Sequence, residues 1–243
     1  MKKTTTLALV VAGALALALP RGAEAQSKAA IPEKYFSFTA GSQPQSRTFD
    51  AAATSTVFAE DAVFSTEQKV GSGPFFDFAA GFRVSDSLHL GAAVSSFSAK
   101  GDATGTGAVP DPLFFDRPTN FAVEGTDLAR NELGIHLQAA WFLPLSEKFD
   151  LAIAAGPSIY RASQEFAAGS TEEGSEVVTF NVQDESGFGF GFNAGADFTY
   201  LFTPKYGLGV LARYTWGQVG LDAADITVGG FQVGAGLRIR WGL

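Results

Sequence analysis

The chain has 243 residues, of which 46% are apolar, and its 17 basic and 25 acidic residues give a net charge of −8. Only 17% of the residues are charged, against about a quarter in an ordinary soluble domain. Together with 23 Phe and 28 Gly, this shortage of charge excludes a disordered chain and argues against a helical bundle. The absence of Cys excludes disulfides, thiolate metal sites and a cysteine nucleophile, and the acidic balance makes the chain a poor nucleic-acid binder.

The first 25 residues have the organisation of a secretory signal peptide. A basic start at Lys2–Lys3 is followed by the apolar run Leu7–Leu19, which is too short to cross a bilayer. The small residues of the sequence AEA fit a cleavage site after Ala25. We therefore predict that residues 1–25 are a cleaved signal peptide and that residues 26–243 form a single exported domain.

Beyond this segment, apolar residues alternate with small or polar ones at a period of two. In residues 187–202 one face carries Phe, Ala and Tyr, whereas the other carries mostly Gly, Asn, Asp and Thr. A helix would mix these two sets on every side, so the alternation predicts β-strands. Seven strands are predicted at 74–84, 88–97, 132–143, 150–160, 187–202, 207–216 and 228–241, with an eighth, weaker strand within 34–58.

The connections between these strands alternate in length. Short turns are predicted at 85–87, 146–148 and 203–206, and long polar loops near 58–70, 100–122, 165–180 and 220–226. Bacterial transmembrane barrels show this asymmetry, with short turns at one end and long loops at the other. The predicted fold is therefore all-β, an antiparallel up-and-down barrel of eight strands arranged as a meander.

Two orientations of such a barrel are open, with the apolar face of each strand either inside or outside. A soluble barrel needs a polar outer face, and such surfaces are about 25–35% charged. Here the polar face is largely Gly, Ala and Ser. An eight-stranded lumen is just wide enough to be filled by side chains, so it has little room for the many Phe, Trp and Leu residues. We therefore predict that the apolar face contacts lipid.

Large aromatic residues near the strand ends support this orientation. Trp141, Tyr200 and Trp241 fall near the short turns, and Tyr214 and Trp216 fall toward the long loops. Transmembrane barrels carry aromatic girdles at both membrane interfaces. These five residues are the predicted girdles.

With these features, residues 34–241 resemble the eight-stranded outer-membrane barrels of Gram-negative bacteria, of the OmpA or OmpX kind. The last strand, GGFQVGAGLRIRW, looks like the alternating C-terminal signal that the assembly machinery of this family reads, although Gly242 and Leu243 follow Trp241. The resemblance implies a monomer in the outer membrane, inserted by that machinery and surrounded by outer-membrane lipid. It also implies periplasmic short turns and extracellular long loops.

The polar residues on the inward face are the predicted functional set. They are Asp77, Arg83, His89, Glu132, His136, Gln138, Asp150, Asn193, Asp197, Arg213, Gln232, Arg238 and Arg240. A buried charge is costly unless it is paired, so we expect ion pairs between arginines and carboxylates that plug the lumen. A narrow porin-like channel, in which these pairs exchange partners to admit ions or small solutes, remains the alternative.

Catalysis is not predicted. His89 and His136 are the only imidazole bases, and neither has a serine on its own strand at a catalytic height. No cofactor site is predicted, because the G-x-G-x-x-A matches at 189–194 and 207–212 lie inside strands. No metal site is predicted, because no EF-hand spacing is present. We expect a non-enzymatic barrel with a structural or surface-interaction role through its extracellular loops, including the apolar loop 110–118. A soluble lipocalin-like ligand carrier is a further alternative.

Overall fold

The computed structural model describes residues 30–57, 60–111, 113–114, 116–171 and 178–242. The predicted signal peptide lies outside these residues. The described strands are β1 (Lys34–Gln43), β2 (Arg47–Val57), β3 (Glu60–Val70), β4 (Gly73–Arg83), β5 (Leu88–Val109), β6 (Thr119–Pro144), β7 (Phe149–Thr171), β8 (Val178–Leu201), β9 (Tyr206–Gly220) and β10 (Asp225–Trp241). Every strand pairing is antiparallel. No helix among the described residues is long and apolar enough to span a bilayer.

Eight of the strands form a closed ring in the order β1-β4-β5-β6-β7-β8-β9-β10, and β10 pairs with β1 to complete it. The predicted eight-stranded antiparallel barrel is confirmed. In the closing pair, Phe38 lies opposite Leu237, and Lys34 lies opposite Trp241. Closure gives each of these strands a partner on both sides, which is what a sheet needs in order to cross hydrocarbon.

The remaining two strands, β2 and β3, form a hairpin that was not predicted. The expected loop at 58–70 is wrong, because residues 60–70 form β3. This hairpin lies above the ring at its long-loop end. There β3 pairs with the distal part of β5, Gly101–Ala108, whereas β4 pairs with the proximal part, His89–Phe97. The wall of the barrel therefore continues beyond the ring.

Other predicted loops are also mostly strand. The regions 100–122 and 165–180 are largely occupied by extensions of β5, β6, β7 and β8, and 220–226 narrows to a tight turn in which Leu221 N donates to Ala224 O at 3.1 Å. The described residues of these regions still alternate, but most residues on both faces are small or polar. The contrast that marks a strand in the sequence is therefore weak there.

The exposed and buried faces exchange character along the extended strands. Near the short turns, the outward face of β5 carries Leu90 and Val94, which are exposed. Beyond Ser98 the same face carries Lys100 and Asp102, while the inward face contributes Val109 to a buried apolar cluster. The ring is thus apolar outside, and its extension is apolar inside.

Candidate functional site

The mouth of the lumen at the short-turn end is closed by the segment Ala30–Glu33. Pro32 is buried, and its carbonyl oxygen lies 2.7 Å from Nε2 of His89. Arg83 donates to the carbonyl of Ile31 at 3.0 Å, and one of its side-chain nitrogens lies 3.9 Å from the Glu33 carboxylate. These contacts hold the segment across the opening of the ring.

Two ion pairs lie inside this mouth. Arg240 on β10 contacts the carboxylate of Asp150 on β7, and both side chains are buried. Further in, Arg238 donates from Nε to the carboxylate of Asp197 at 2.9 Å. A buried arginine and carboxylate compensate each other's loss of hydration only when they are in contact, and both pairs meet this condition.

The middle of the lumen is crossed by a chain of polar side chains. Arg213 on β9 lies 2.8 Å from the Asp77 carboxylate on β4, and it donates to Gln232 Oε1 at 3.0 and 2.8 Å. Gln232 in turn donates to Gln43 Oε1 at 3.1 Å. The Arg213 side chain is only 2% exposed, so little solvent-accessible space remains around this layer.

A second polar layer surrounds His136 on β6. Its Nε2 lies 2.8 Å from Ser95 Oγ, and its Nδ1 lies 2.8 Å from Ser158 Oγ. Asn193 donates to the Ser158 hydroxyl at 3.0 Å and accepts from Gln138 at 2.8 Å. The layer therefore links strands β5, β6, β7 and β8 through their side chains.

The contacts of His136 with serine have the spacing of a nucleophile and its base. However, His136 is fully buried and both of its ring nitrogens are occupied by hydroxyl groups. A methyl group placed on the neighbouring Gly134 would lie only 2.8 Å from the imidazole and 2.9 Å from the Ser95 hydroxyl. The surroundings of this pair thus leave little space for a substrate.

The last polar layer lies at the long-loop end of the ring. Arg130 donates to Glu132 Oε1 at 2.8 Å, and the backbone N–H of Gly229 donates to Glu132 Oε2 at 2.7 Å. Gly229 has φ of +82° and the next residue, Gly230, has φ of +153°. Residues with a side chain rarely adopt these backbone angles. The two glycines therefore allow β10 to turn the Gly229 amide toward the Glu132 carboxylate.

An apolar cluster covers this layer. It consists of Tyr160, Ala162, Val219, Ile226 and Val228, with Phe49 of β2 packed against it. The β2–β3 hairpin thereby takes part in sealing the upper end of the lumen. The described residues thus obstruct the lumen from its short-turn end to its long-loop end.

A small cavity of about 70 Å³ remains between the mouth and the middle layer. Its lining includes Tyr35, Gln138, Asp197, Arg238 and Arg240. A cavity of this size with several polar groups has room for a few water molecules. Within the described ranges, no group of three or more His, Asp or Glu side chains is arranged to hold a metal ion.

Most of the predicted set faces this interior. Those that are buried there are Asp77, His89, Glu132, His136, Asp150, Asn193, Arg213, Gln232, Arg238 and Arg240. Gln138 and Asp197 are half-buried beside the cavity, whereas the side chain of Arg83 is 34% exposed at the rim. Arg130 and Gln43 also belong to the polar layers of the lumen, but they were not predicted from the sequence. Arg130 lies two residues before Glu132 on the same strand face, so extending that alternation would have found it.

The five aromatic residues predicted as girdles lie on the outer face. Trp141, Tyr200 and Trp241 surround the short-turn end, where Tyr200 packs against Phe149 with ring centroids 5.1 Å apart. Tyr214 and Trp216 lie toward the other end. Trp216 is half-buried and its ring lies 5.7 Å from that of Phe192.

A closed antiparallel ring with an apolar exterior and a polar, ion-paired interior defines a transmembrane β-barrel. The chain matches the family model of the outer membrane protein beta-barrel domain over residues 5–238, and it belongs to that family. Family and fold together place the protein in the outer membrane. The soluble carrier considered from the sequence is therefore set aside.

Three solved structures are similar to the chain. The outer membrane protein OprG from Pseudomonas aeruginosa has 11% identity, with 89% of this chain and 100% of OprG covered and a TM-score of 0.51. Neisserial surface protein A has 18% identity, with 86% of this chain and 97% of that protein covered and a TM-score of 0.40. Ail of Yersinia pestis has 11% identity, with 85% of this chain and 99% of Ail covered and a TM-score of 0.38. No curated protein sequence matches the chain. At this identity the likeness to OprG shows the fold alone.

Proposed function

We propose that this protein is a non-enzymatic outer-membrane barrel that anchors an extracellular β-structure used in surface interactions. The observation that carries this proposal is the obstructed lumen, in which charged and polar layers are followed by an apolar seal. A barrel filled in this way supports what lies outside it. The large extension of the strands beyond the ring supplies the surface that would interact.

The β5–β6 hairpin is the most prominent part of this extension. Beyond Ser98, β5 continues for about 35 Å along the strand at ~3.3 Å per residue. In the loop at its tip, Asp111 accepts hydrogen bonds from the N–H groups of Leu113 and Phe114 at 2.8 and 3.2 Å. The side chain of Leu113 is nevertheless 82% exposed, and Phe114 is 57% exposed. Two adjacent large apolar side chains that are both exposed to water form a candidate contact site.

Replacing residues 110–118 by a short Gly-containing turn tests this role, because the strand pair that ends at Val109 and Thr119 is kept. We expect cells with the replacement to lose surface adhesion while the barrel keeps its heat-modifiable migration in gels. Val182→Ser removes an equally exposed apolar side chain from β8 and is the matched control. Equal adhesion of the replacement and the wild type would contradict a role for the tip.

The second candidate is a narrow channel for ions or small solutes, and the cavity beneath the middle layer favours it. In this case, the Arg213–Asp77 layer is the gate that must rearrange. Planar-bilayer recordings and liposome swelling distinguish the two functions. The filled barrel predicts no steady conductance from the wild type, whereas solute-dependent swelling would support the channel.

The absence of catalysis is part of the same proposal. The one serine–histidine–serine arrangement among the described residues, around His136, is buried and its hydrogen bonds are all internal. Purified folded protein should therefore not hydrolyse ester or phospholipid substrates. Hydrolysis that disappears in Ser95→Ala would overturn this part of the proposal.

The proposed function also includes the route by which the protein is exported and assembled. We propose that residues 1–25 are removed on export, that the C-terminal strand is read by the outer-membrane assembly machinery, and that the mature barrel is a monomer. N-terminal sequencing of protein isolated from outer membranes should give Gln26 as the first residue. A first residue within the apolar run would contradict cleavage at this site.

A further inference from the structure

A groove on the outer wall of the ring is not explained by the lumen or by the extracellular extension. It crosses β1, β4 and β5 and has a volume of about 550 Å³. Its floor is formed by Ala80, Gly81, Gly91 and Ala92, and Phe82 and Leu90 stand at its lower side. It therefore interrupts an otherwise bulky apolar surface that faces lipid.

The strand register explains why the wall is depressed here. Ala80 lies opposite Ala92, between the Phe78–Val94 pair on one side and the Phe82–Leu90 pair on the other. Two small outward side chains therefore sit between two rows of large ones. Across the sheet the depression ends at Phe36 of β1 and Leu137 of β6, which lie opposite Ala80 and Ala92.

The floor is also thin. Tyr35 packs against the inner surface of Gly81, where a methyl group would lie 2.8 Å from Cζ of the tyrosine ring. A methyl group placed on Gly91 would lie 2.5 Å from the Tyr35 hydroxyl. Glycine is thus required at both positions by the interior packing, which fixes the shape of the groove from behind.

A cation stands at the periplasmic end of the groove. Lys34 lines it and is exposed, and in the β-ladders it lies opposite Phe82 on one side and Trp241 on the other. Among the described residues, no carboxylate lies within ion-pair distance of Lys34. Trp241 belongs to the short-turn girdle, which marks the level of the lipid headgroups in the periplasmic leaflet.

We propose that this groove binds one anionic phospholipid of the periplasmic leaflet. One acyl chain lies in the depression over Ala80 and Ala92, and the headgroup phosphate contacts the Lys34 ammonium. The groove has the polarity of such a lipid, since its charge lies at the interface and its apolar part extends into the hydrocarbon. This site depends on the membrane orientation of the barrel and is independent of the proposed surface role.

Native mass spectrometry of the folded full barrel, released from detergent and titrated with phosphatidylglycerol or phosphatidylcholine, tests the site. We expect one phosphatidylglycerol to bind saturably and more tightly than phosphatidylcholine. Lys34→Gln should weaken phosphatidylglycerol binding about fivefold, because a basic residue near a membrane surface contributes about 1 kcal/mol. Ala92→Phe should remove the saturable binding because the ring fills the groove.

Two matched variants keep the test specific. Lys205→Gln removes a cation from a neighbouring short turn, and Ala235→Phe adds a ring to the lipid-facing wall between Ala40 and Val210. Both should bind phosphatidylglycerol like the wild type, and heat-modifiable migration verifies that each variant is folded. Equal binding by Ala92→Phe and Ala235→Phe would overturn the groove. An equal loss in Lys34→Gln and Lys205→Gln would overturn the role of Lys34.

Discussion

The proximal and distal halves of β5 use the same alternation for opposite purposes. Between Leu88 and Ser96 the large apolar residues point outward and the polar residues His89 and Ser95 point inward, whereas Phe97 is already buried on the inward face. Between Ser98 and Val109 the outward residues are polar apart from Ala108, and the inward residues are Ala, Gly and Val. A single strand thus passes from lipid to water by exchanging the faces of its pattern, with no break in the ladder to β6 except one irregularity at Gly101/Ala103.

The difference shows that solvent decides which face is apolar. In the ring, the hydrophobic surface contacts acyl chains and the interior contains arginine–carboxylate pairs. In the extension, Ala62, Phe64, Val109 and Val123 pack against one another as in a soluble protein. The boundary between the two regimes, near Ser98, is where the membrane should end.

The largest effect is expected from breaking a pair in the ring. Arg213→Ala leaves the Asp77 carboxylate buried without its partner, which should cost about 3–5 kcal/mol of unfolding free energy. Urea unfolding of barrels reconstituted in lipid vesicles, followed by gel migration, measures it. In the extension, Lys100→Ala removes a pair whose side chains are 69% and 76% exposed, and it should cost at most about 1 kcal/mol. Similar costs for both variants would contradict a sealed interior.

The next largest effect is expected from an arginine on the outward face of β5, whose cost in unfolding free energy should differ between the proximal and distal halves of the strand. Val94→Arg introduces a charge into hydrocarbon and should destabilise the barrel by about 2–4 kcal/mol. Thr104→Arg, at an outward position of the same strand in the extension, should change stability by no more than about 0.5 kcal/mol. The same unfolding assay compares them. If Val94→Arg is as mild as Thr104→Arg, the proximal half of β5 does not face lipid.

A smaller effect is expected where the polar interior meets the apolar seal. Gly229→Ala forces a side chain onto a φ of +82° and toward the Thr215 carbonyl oxygen at 2.7 Å, which should cost about 1–3 kcal/mol. Gly220→Ala has no such angle, and its methyl group would meet only Asp225 Oδ1 at 3.3 Å. The control should therefore unfold like the wild type. A neutral Gly229→Ala would show that the turn in β10 is not strained.

The smallest effect on stability is expected at the tip of the extension. Phe114→Ser should change the unfolding free energy by less than about 0.5 kcal/mol, because its side chain already lies mostly in water. Adhesion, in contrast, should fall if the tip is the contact surface. A clear loss of stability would instead identify Phe114 as part of the core.

The ring could be predicted from sequence because its two faces differ strongly. Phe, Leu and Trp alternate with Gly, Ala and Ser, and that contrast indicates both the strand and the side that contacts lipid. The β2–β3 hairpin could not be predicted in the same way. In β2, RTFDAAATSTV, Phe49 and Val57 are the only large apolar residues among small or polar ones, and the extensions of β7 and β8 share this weak contrast.

The lumen was predicted as a set of inward residues held in arginine–carboxylate pairs, but the partners within each pair were not predicted. Asp77 and Arg213 come from β4 and β9, and Asp150 and Arg240 come from β7 and β10. Their contacts cross the interior between strands that are distant in the chain, so spacing within a strand carries no information about them. The Glu132 layer also depends on the backbone of Gly229, which no pattern of side chains reveals.

The position of the membrane boundary on β5 tests the account most directly. The chain has no Cys, so single spin labels can be placed with Leu90→Cys, Val94→Cys, Lys100→Cys and Thr104→Cys without altering other residues. In reconstituted barrels we expect the first two labels to be accessible to oxygen in the hydrocarbon, and the last two to a water-soluble nickel complex. Equal accessibility at all four positions, or labels at 90 and 94 that contact only the nickel complex, would contradict a membrane boundary near Ser98.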